Sequence, residues 1–465
     1  MSKKIYNLIK DCLQIKEGEL DVKDREFLRK VIDDLVYDAT FGSKDDSKYA
    51  KWVVWETAQN LGIYPSSIHD LYMGRGREEI PLDFTVPAIN LRFLTFDMAR
   101  AAFKIAKKHS VGAFIFELAR SEMGYTNQTP EEFVVALLGA AIKEGWKGPV
   151  FIQGDHIQTK HRDSVVGKPK EGEIETVSKL IKECIDAGFY NIDIDTSTLV
   201  DLNEPTETKQ QKQNVKYSVK FANLIRENEP KKVTVSIGGE IGHIGGKNST
   251  IEEFNVYVGG FNKLFGDKYP GLSKISVQTG TSHGGVILPD GSVADVDVDF
   301  KLLKDISTAC RKNHKMGGSV QHGASTLPNK LFRMFVESEV LEIHLSTCFQ
   351  NLFLDHSKLP KELHTKMYKW LDNNKHDDRK KDWTDVQFYH KTRKHALGHF
   401  KNECWDLKPT IKDAIRQSLE KRLEFLFQEL NVNNTIDLVN KFIKPVKIHK
   451  KLNDFGKATV SSTKV

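Results

Sequence analysis

Cysteine is scarce: Cys12, Cys184, Cys310, Cys348 and Cys404 stand far apart among 465 residues. No two have CxxC spacing, and an odd five forms no even disulfide framework, so a reducing compartment is expected. Long apolar runs are missing too. No stretch reaches 18 apolar residues, which excludes a membrane-spanning helix. The start, Met1-Ser2-Lys3-Lys4, leads into mixed charged and apolar residues and does not read as a signal peptide. A cytoplasmic protein is expected. An excess of charge of one sign is also lacking, with 69 Lys+Arg against 63 Asp+Glu for a net +6. The single dense basic run, Arg379-Lys380-Lys381, follows Asp377-Asp378 and reads as a solvated loop, so no nucleic-acid partner is expected. Only 14 Pro and 32 Gly occur, with 39% hydrophobic residues, so the bulk of the chain can bury a core.

This length suggests two or three units, or one large barrel with additions. Three textures are visible: a polar helical region over 1–82, a glycine-bearing alternation of strands and helices over 83–358, and a charged helical region over 359–465. Phe27, Val31 and Leu35 repeat every four residues in the first region. In the last, Ile411, Ile415, Leu419, Leu423 and Phe427 mark one face of a helix that begins after Pro409. The middle region holds eight strand-like runs, at 86–91, 113–118, 150–153, 191–195, 233–238, 274–278, 318–321 and 342–345. Helical candidates separate them, at 96–108, 131–144, 173–187, 215–228, 251–265, 300–313 and 330–338. Eight strands alternating with helices predict a (β/α)8 TIM barrel in the α/β class. A doubly wound sheet would carry a Gly-rich turn after its first strand, where this chain has Asn90-Leu91-Arg92-Phe93-Leu94.

Barrel chemistry sits where the strands end. Strand three is followed by Gly154-Asp155-His156, strand six by Thr279-Gly280-Thr281-Ser282-His283-Gly284-Gly285, and strand seven by His322-Gly323-Ala324-Ser325. Three histidines thus follow three strands, separated by 127 (283−156) and 39 (322−283) residues. A barrel would bring them to one mouth, where three imidazoles suit a catalytic Zn²⁺ or similar divalent ion. Strand five ends in Glu240, placed to face the metal or anchor a ligand; His243 is a further metal candidate or a solvated loop residue. Asp155 can accept a proton from a substrate hydroxyl or merely cap the strand. Gly284, Ser325 and Thr347 offer donors near strands six to eight, where barrels often hold phosphate.

Pro87-Ala88-Ile89-Asn90, Asp155-His156, Glu240-Ile241-Gly242-His243-Ile244-Gly245-Gly246, Gly280-Thr281-Ser282-His283-Gly284 and His322-Gly323-Ala324-Ser325 occur in an order that resembles the class II, metal-dependent ketose-bisphosphate aldolases. The segments Gly124-Tyr125-Thr126-Asn127-Gln128-Thr129-Pro130-Glu131-Glu132-Phe133 and Gly154-Asp155-His156 are in addition similar to the large, non-catalytic-type subunit of tagatose-bisphosphate aldolase. The resemblance implies reversible cleavage of a phosphorylated ketose to dihydroxyacetone phosphate and an aldehyde. It also implies His156, His283 and His322 as Zn²⁺ ligands, Asp155 and Glu240 as catalytic groups, and Asn90, Gly284, Gly323, Ser325 and Thr347 as substrate and phosphate contacts. A Lewis acid spreads the charge of the carbanion onto oxygen as an enediolate, so no lysine Schiff base is needed. This chain departs from the family in carrying Lys247-Asn248 where acidic residues are usual, and His344-Leu345-Ser346-Thr347-Cys348 at strand eight.

A non-catalytic partner that stabilises a separate aldolase chain is the alternative reading, supported by the subunit-like motif and the terminal helices. A metal-dependent hydrolase usually shows His-x-His after strand one, which Asn90-Leu91-Arg92 does not provide. Family analogy implies a homo-oligomer, at least a dimer.

Overall fold

The computed structural model describes residues 2–16, 19–162, 165–242, 247–281, 285, 287–292, 294 and 297–457. Eight parallel strands close on themselves: β1 (Val86–Asn90), β2 (Ile115–Ala119), β3 (Gly148–Gln158), β4 (Asn191–Asp195), β5 (Ser236–Glu240), β6 (Lys274–Val277), β7 (Ser319–Gln321) and β8 (Glu342–Leu345). Each pairs with its neighbours in chain order, and β8 closes onto β1 through Glu342↔Val86 and Leu345↔Ile89. The expected (β/α)8 barrel is therefore present. A ninth parallel strand, Ile63–Ser66, pairs with the start of β3 below the point where β4 takes over. Asn191 joins them, its Nδ2 donating to the Ser66 and Ile152 carbonyls while its Oδ1 accepts from the Ile68 amide.

The strands are buried on both faces, as in parallel sheets covered by helices, with apolar Ile192, Ile194, Ile275 and Val277 alternating with equally buried Asp193, Asp195, Lys274 and Ser276. The helices carry their own boundaries. Thr129 caps helix Pro130–Glu144 by accepting from the Glu132 amide, and Pro130 occupies the first turn, where its missing N–H costs nothing. Thr250 and Glu253 form a capping box at helix Ile251–Phe265.

The terminal segments cover the barrel. Helices Arg25–Phe41 and Lys44–Leu61 lie against Pro130–Glu144, and the long helix Pro409–Glu429 packs on Thr95–Lys108. The long helix buries Ile415, Leu419, Leu423, Leu426 and Phe427. Lys104–Glu420 at 2.8 Å and Lys108–Glu424 at 2.6 Å flank that seam. The chain then returns to the N-terminal helices, where Trp55 and Trp52 donate their indole N–H groups to the Ile448 and Lys450 carbonyls. Among the described residues, no helix is long and apolar enough to cross a membrane.

Candidate active site

Side chains in a strand alternate in direction, so every second barrel residue meets the interior. Here that interior is charged. In its lower layer the Lys274 ammonium lies 2.6 Å from Glu342, 3.0 Å from Asp193 and 2.7 Å from Gln153 Oε1. Gln153 Nε2 donates to Glu342 at 2.9 Å, and the Tyr72 hydroxyl donates to the other Glu342 oxygen. Burial alone would depress the Lys274 pKa, but Asp193 and Glu342 outweigh it and hold the amine protonated. Burial pushes Asp193 up to about 6, whereas Lys274 overrides burial at Glu342 and keeps that carboxyl well below its usual range.

Above this layer lies a ring of imidazoles and carboxylates. His344, on β8, spans the two: its Nε2 is 2.7 Å from Glu342 and its Nδ1 is 2.9 Å from Glu117. Asp155 Oδ1 lies 3.3 Å from both His322 Nε2 and His344 Nδ1. His156 Nδ1 is 3.0 Å from Glu240 and 3.2 Å from Asp195. The His156 and His322 rings stack at 4.2 Å between centroids, and the His322 and His344 centroids are 4.1 Å apart. At Asp155, burial favours the neutral acid but is overcome by His156, His344 and His322, so its carboxyl titrates well below the ordinary range. Glu240 is pushed up to about 7 by burial and then by Asp195.

A backbone irregularity aims His156 into this ring. Strand β3 does not stop at Gln153, as its apolar run suggests, but continues to Gln158 with a register shift between Gly154 and Ile157. At that bulge His156 has φ +39°, in the left-handed region. Bulges re-aim side chains, and a non-glycine residue there costs about 1–3 kcal/mol, which the surrounding pairing must offset.

At the rim, the Glu122 carboxylate gathers Arg92 at 2.6 Å, Asn90 Nδ2 at 2.6 Å and the Ala119 amide at 2.8 Å. Arg92 also donates to Gln350 at 3.0 Å. Ring and rim open into one cavity of about 1000 Å³.

Of the residues expected from sequence, His156 and His322 come together, with Asp155 and Glu240 beside them. His243, His283 and Gly284 lie outside the described residues. Asn90, Gly323 and Thr347 line the cavity. Gly323 has φ +71°, and Thr347 opens helix Thr347–Leu354. Ser325 sits behind the wall, its hydroxyl accepting from the Ser346 amide at 2.6 Å. His344, Glu117 and the Lys274 layer belong to the site without having been singled out for it. The available signal was a charged residue inside an apolar strand, as in Glu342-Ile343-His344.

The donor set fits a metal ion. His156, Glu240 and His322 offer one ligand atom each, all within 4.8 Å of one another, and Asp155, His322 and His344 do the same. Ligands of a tetrahedral ion at about 2.0–2.1 Å stand roughly 3.3 Å apart, so small adjustments suffice. Imidazole with carboxylate suits a borderline divalent ion.

Residues 82–424 match the family model described as fructose-bisphosphate aldolase class-II. No curated protein matches the sequence. Similar solved structures include the fructose-bisphosphate aldolase of Campylobacter jejuni, 17% identical over 79% of this chain and 94% of that one, with a TM-score of 0.46. The YdjI aldolase of Escherichia coli K12 is 12% identical over 79% and 98% of the two chains, TM-score 0.45. A Sinorhizobium meliloti 1021 protein described as a "probable tagatose 6 phosphate kinase" is 14% identical over 81% and 97%, TM-score 0.48.

Proposed function

The chain belongs to the class-II fructose-bisphosphate aldolase family, and from that premise we propose that it cleaves a phosphorylated ketose reversibly to dihydroxyacetone phosphate and an aldehyde. One observation carries the reading. His156 and His322, separated by 166 (322−156) residues in sequence, stack at 4.2 Å with Glu240 close enough to share a cation. A non-catalytic stabilising subunit has no use for such a cluster, because buried imidazoles and carboxylates cost desolvation energy.

His156, His322 and Glu240 would hold a divalent ion such as Zn²⁺, with His283 a further ligand expected from the sequence. When bound, the ion supplies a Lewis acid beside the ketone oxygen. Asp155, ionised at neutral pH, accepts the proton of the hydroxyl on the departing carbon as the carbon–carbon bond breaks and its electron pair passes to the ketose fragment. His322 and His344, each 3.3 Å from Asp155, fix the direction of its carboxylate. Asn90, held by Glu122, orients substrate hydroxyls, and the Gly323 and Thr347 turns at the C-terminal barrel face suit the phosphate nearest the ketone.

The test is cleavage of fructose and tagatose 1,6-bisphosphates with and without a chelator. Activity lost on chelation and restored by Zn²⁺ is expected. Activity that survives chelation, or a lysine adduct trapped by borohydride, would refute the reading.

A further inference from the structure

The mouth of the barrel is roofed by the chain's own C-terminal segment. Helices Lys361–Asn374, Asp385–Thr392 and Ala396–His399 reach the cavity through Trp370, Lys391 and His399, opposite a floor that holds Asp155, His156, Glu240 and His322. The segment 124–130 is the seat of this roof. There Asn127 Nδ2 donates to the Gly398 carbonyl at 3.1 Å, and the Lys401 ammonium lies 2.6 Å from both the Asn127 carbonyl and Glu132. Between the helices, Arg393 is held by Asn351 and Asp355, each at 2.6 Å, at the end of helix Thr347–Leu354. The middle helix of the roof is thus tied to the barrel just past its own last residue.

That helix meets the loop that follows β6. Gln387 and Lys391 stand four residues apart and so share one helix face. Gln387 Nε2 donates to the Ile287 carbonyl at 2.8 Å, and the Lys391 ammonium donates to the Gly285 carbonyl at 3.0 Å. Val386 lies over the same loop, where a Cβ on Gly291 would stand 3.1 Å from its methyl group. An irregular loop cannot satisfy its own buried carbonyls, so it takes these donors from the roof. The loop is pinned at its start as well. Gln278 Nε2 donates to the Thr281 carbonyl at 3.0 Å and Gln321 Nε2 to the Thr281 hydroxyl at 2.9 Å, while that hydroxyl donates to the His322 carbonyl at 2.8 Å. Thr281, Gly285 and Ile287 are all buried. In sequence, His283 stands two residues after Thr281 and two before Gly285. One anchor is bonded to the backbone of His322, a donor to the cation, and the other is bonded to the roof.

We propose that Gln387 and Lys391 are positioning residues for the metal centre: by bonding the Ile287 and Gly285 carbonyls, the roof holds the strand-six loop so that His283 joins His156, His322 and Glu240 around one cation. The inference rests on the aldolase reading and adds a C-terminal segment that serves the metal site rather than only the outer wall. Fixing a loop residue in one conformation costs about 1–2 kcal/mol, and a loop ordered in advance spares the ion that cost on binding. Groups that orient a ligand without touching the ion are worth about 10–100-fold in metal affinity.

The test measures Zn²⁺ affinity of the full-length protein by competition with a chromophoric chelator. Four proteins are compared: wild type, Gln387→Ala/Lys391→Met, His283→Ala and the combination of all three changes. The roof changes should weaken Zn²⁺ binding about 10–100-fold in the wild-type background. In the His283→Ala background they should cost less than about twofold, because no imidazole remains for the roof to place; a merely structural role would subtract equally in both backgrounds. Should the double roof variant melt early, Lys391→Met alone carries the same comparison. Unchanged affinity in the roof variant, or equal losses in the two backgrounds, would overturn the inference. Cleavage of fructose 1,6-bisphosphate by the wild type separates it from the reading it rests on. Cleavage with unchanged affinity in the roof variant leaves the aldolase and removes the positioning role. The expected affinities without cleavage keep the positioning role and remove the aldolase. A wild type that takes up no Zn²⁺ overturns both.

Discussion

Replacing Lys274 by methionine keeps the length of the side chain but withdraws the ammonium that Asp193 and Glu342 share. Lys274 and Glu342 are both 0% exposed and Asp193 is 7% exposed, so water cannot take over. Removing one member of a buried pair costs about 3–5 kcal/mol, because the remaining charge is stranded. Glu342 keeps hydrogen bonds from Gln153 and Tyr72, which places the expected loss toward the lower end. Unfolding entropy of about 2.1 cal/mol/K per residue amounts to roughly 1 kcal/mol/K here if the chain melts as one unit, so Tm should drop by about 3–5 °C. Adding Glu342→Gln should then cost less than it does in the wild-type background, since one stranded charge has been removed. Thermal melts of the four proteins form a double-mutant cycle. Equal melting of wild type and Lys274→Met, or strictly additive losses, would show that this layer is not the coupled ion cluster described.

His69 offers a pH-dependent counterpart. Burial, with Arg226 and Arg77 nearby, lowers its pKa from 6.5 to about 3, so the folded chain refuses a proton that the unfolded chain accepts. This contribution to stability is intact above pH 6.5 and is lost as pH falls through 6.5 toward 3, by about 2 kcal/mol at pH 5. The Tm difference between wild type and His69→Gln should accordingly shift against the wild type from pH 7 to pH 5; a difference independent of pH would exclude the buried neutral imidazole. At the rim, Glu122→Ala leaves the Arg92 guanidinium, 2.6 Å from that carboxylate, buried without its counter-ion. It should cost about 3–5 kcal/mol, and a melt unchanged from wild type would show that the pair contributes nothing.

Much of the barrel was legible because its strands and helices use different periods. The runs at 191–195 and 342–345 coincide with β4 and β8, and the helices over 173–187 and 251–265 match residue for residue. The expectation that chemistry collects where strands end picked out Asp155, His156, Glu240 and His322, of which Asp155 and His156 lie in the extended end of β3, Glu240 closes β5 and His322 follows β7. The interior charges were harder to find. Asn191-Ile192-Asp193-Ile194-Asp195 and Lys274-Ile275-Ser276-Val277 do alternate, but the period alone does not say which face turns into the barrel, so Lys274, Asp193 and Glu117 gave no directional signal. His344 read as a departure at strand eight, and only the closure of β8 onto β1 turns it toward Glu117 and Asp155. The bulge at His156 depends on pairing with β4, almost forty residues downstream. The C-terminal roof was invisible for the same reason, as its seat at Asn127 meets Gly398 across 271 residues of sequence.

The central claim is that imidazoles from separate strands bind one cation, and elemental analysis of the dialysed protein tests it most directly. Wild type should carry about one divalent ion per chain. His156→Ala and His322→Ala, with melts showing them folded, should each carry almost none, because removing one of few ligands abolishes tight binding. A full equivalent of metal in both variants would contradict the account.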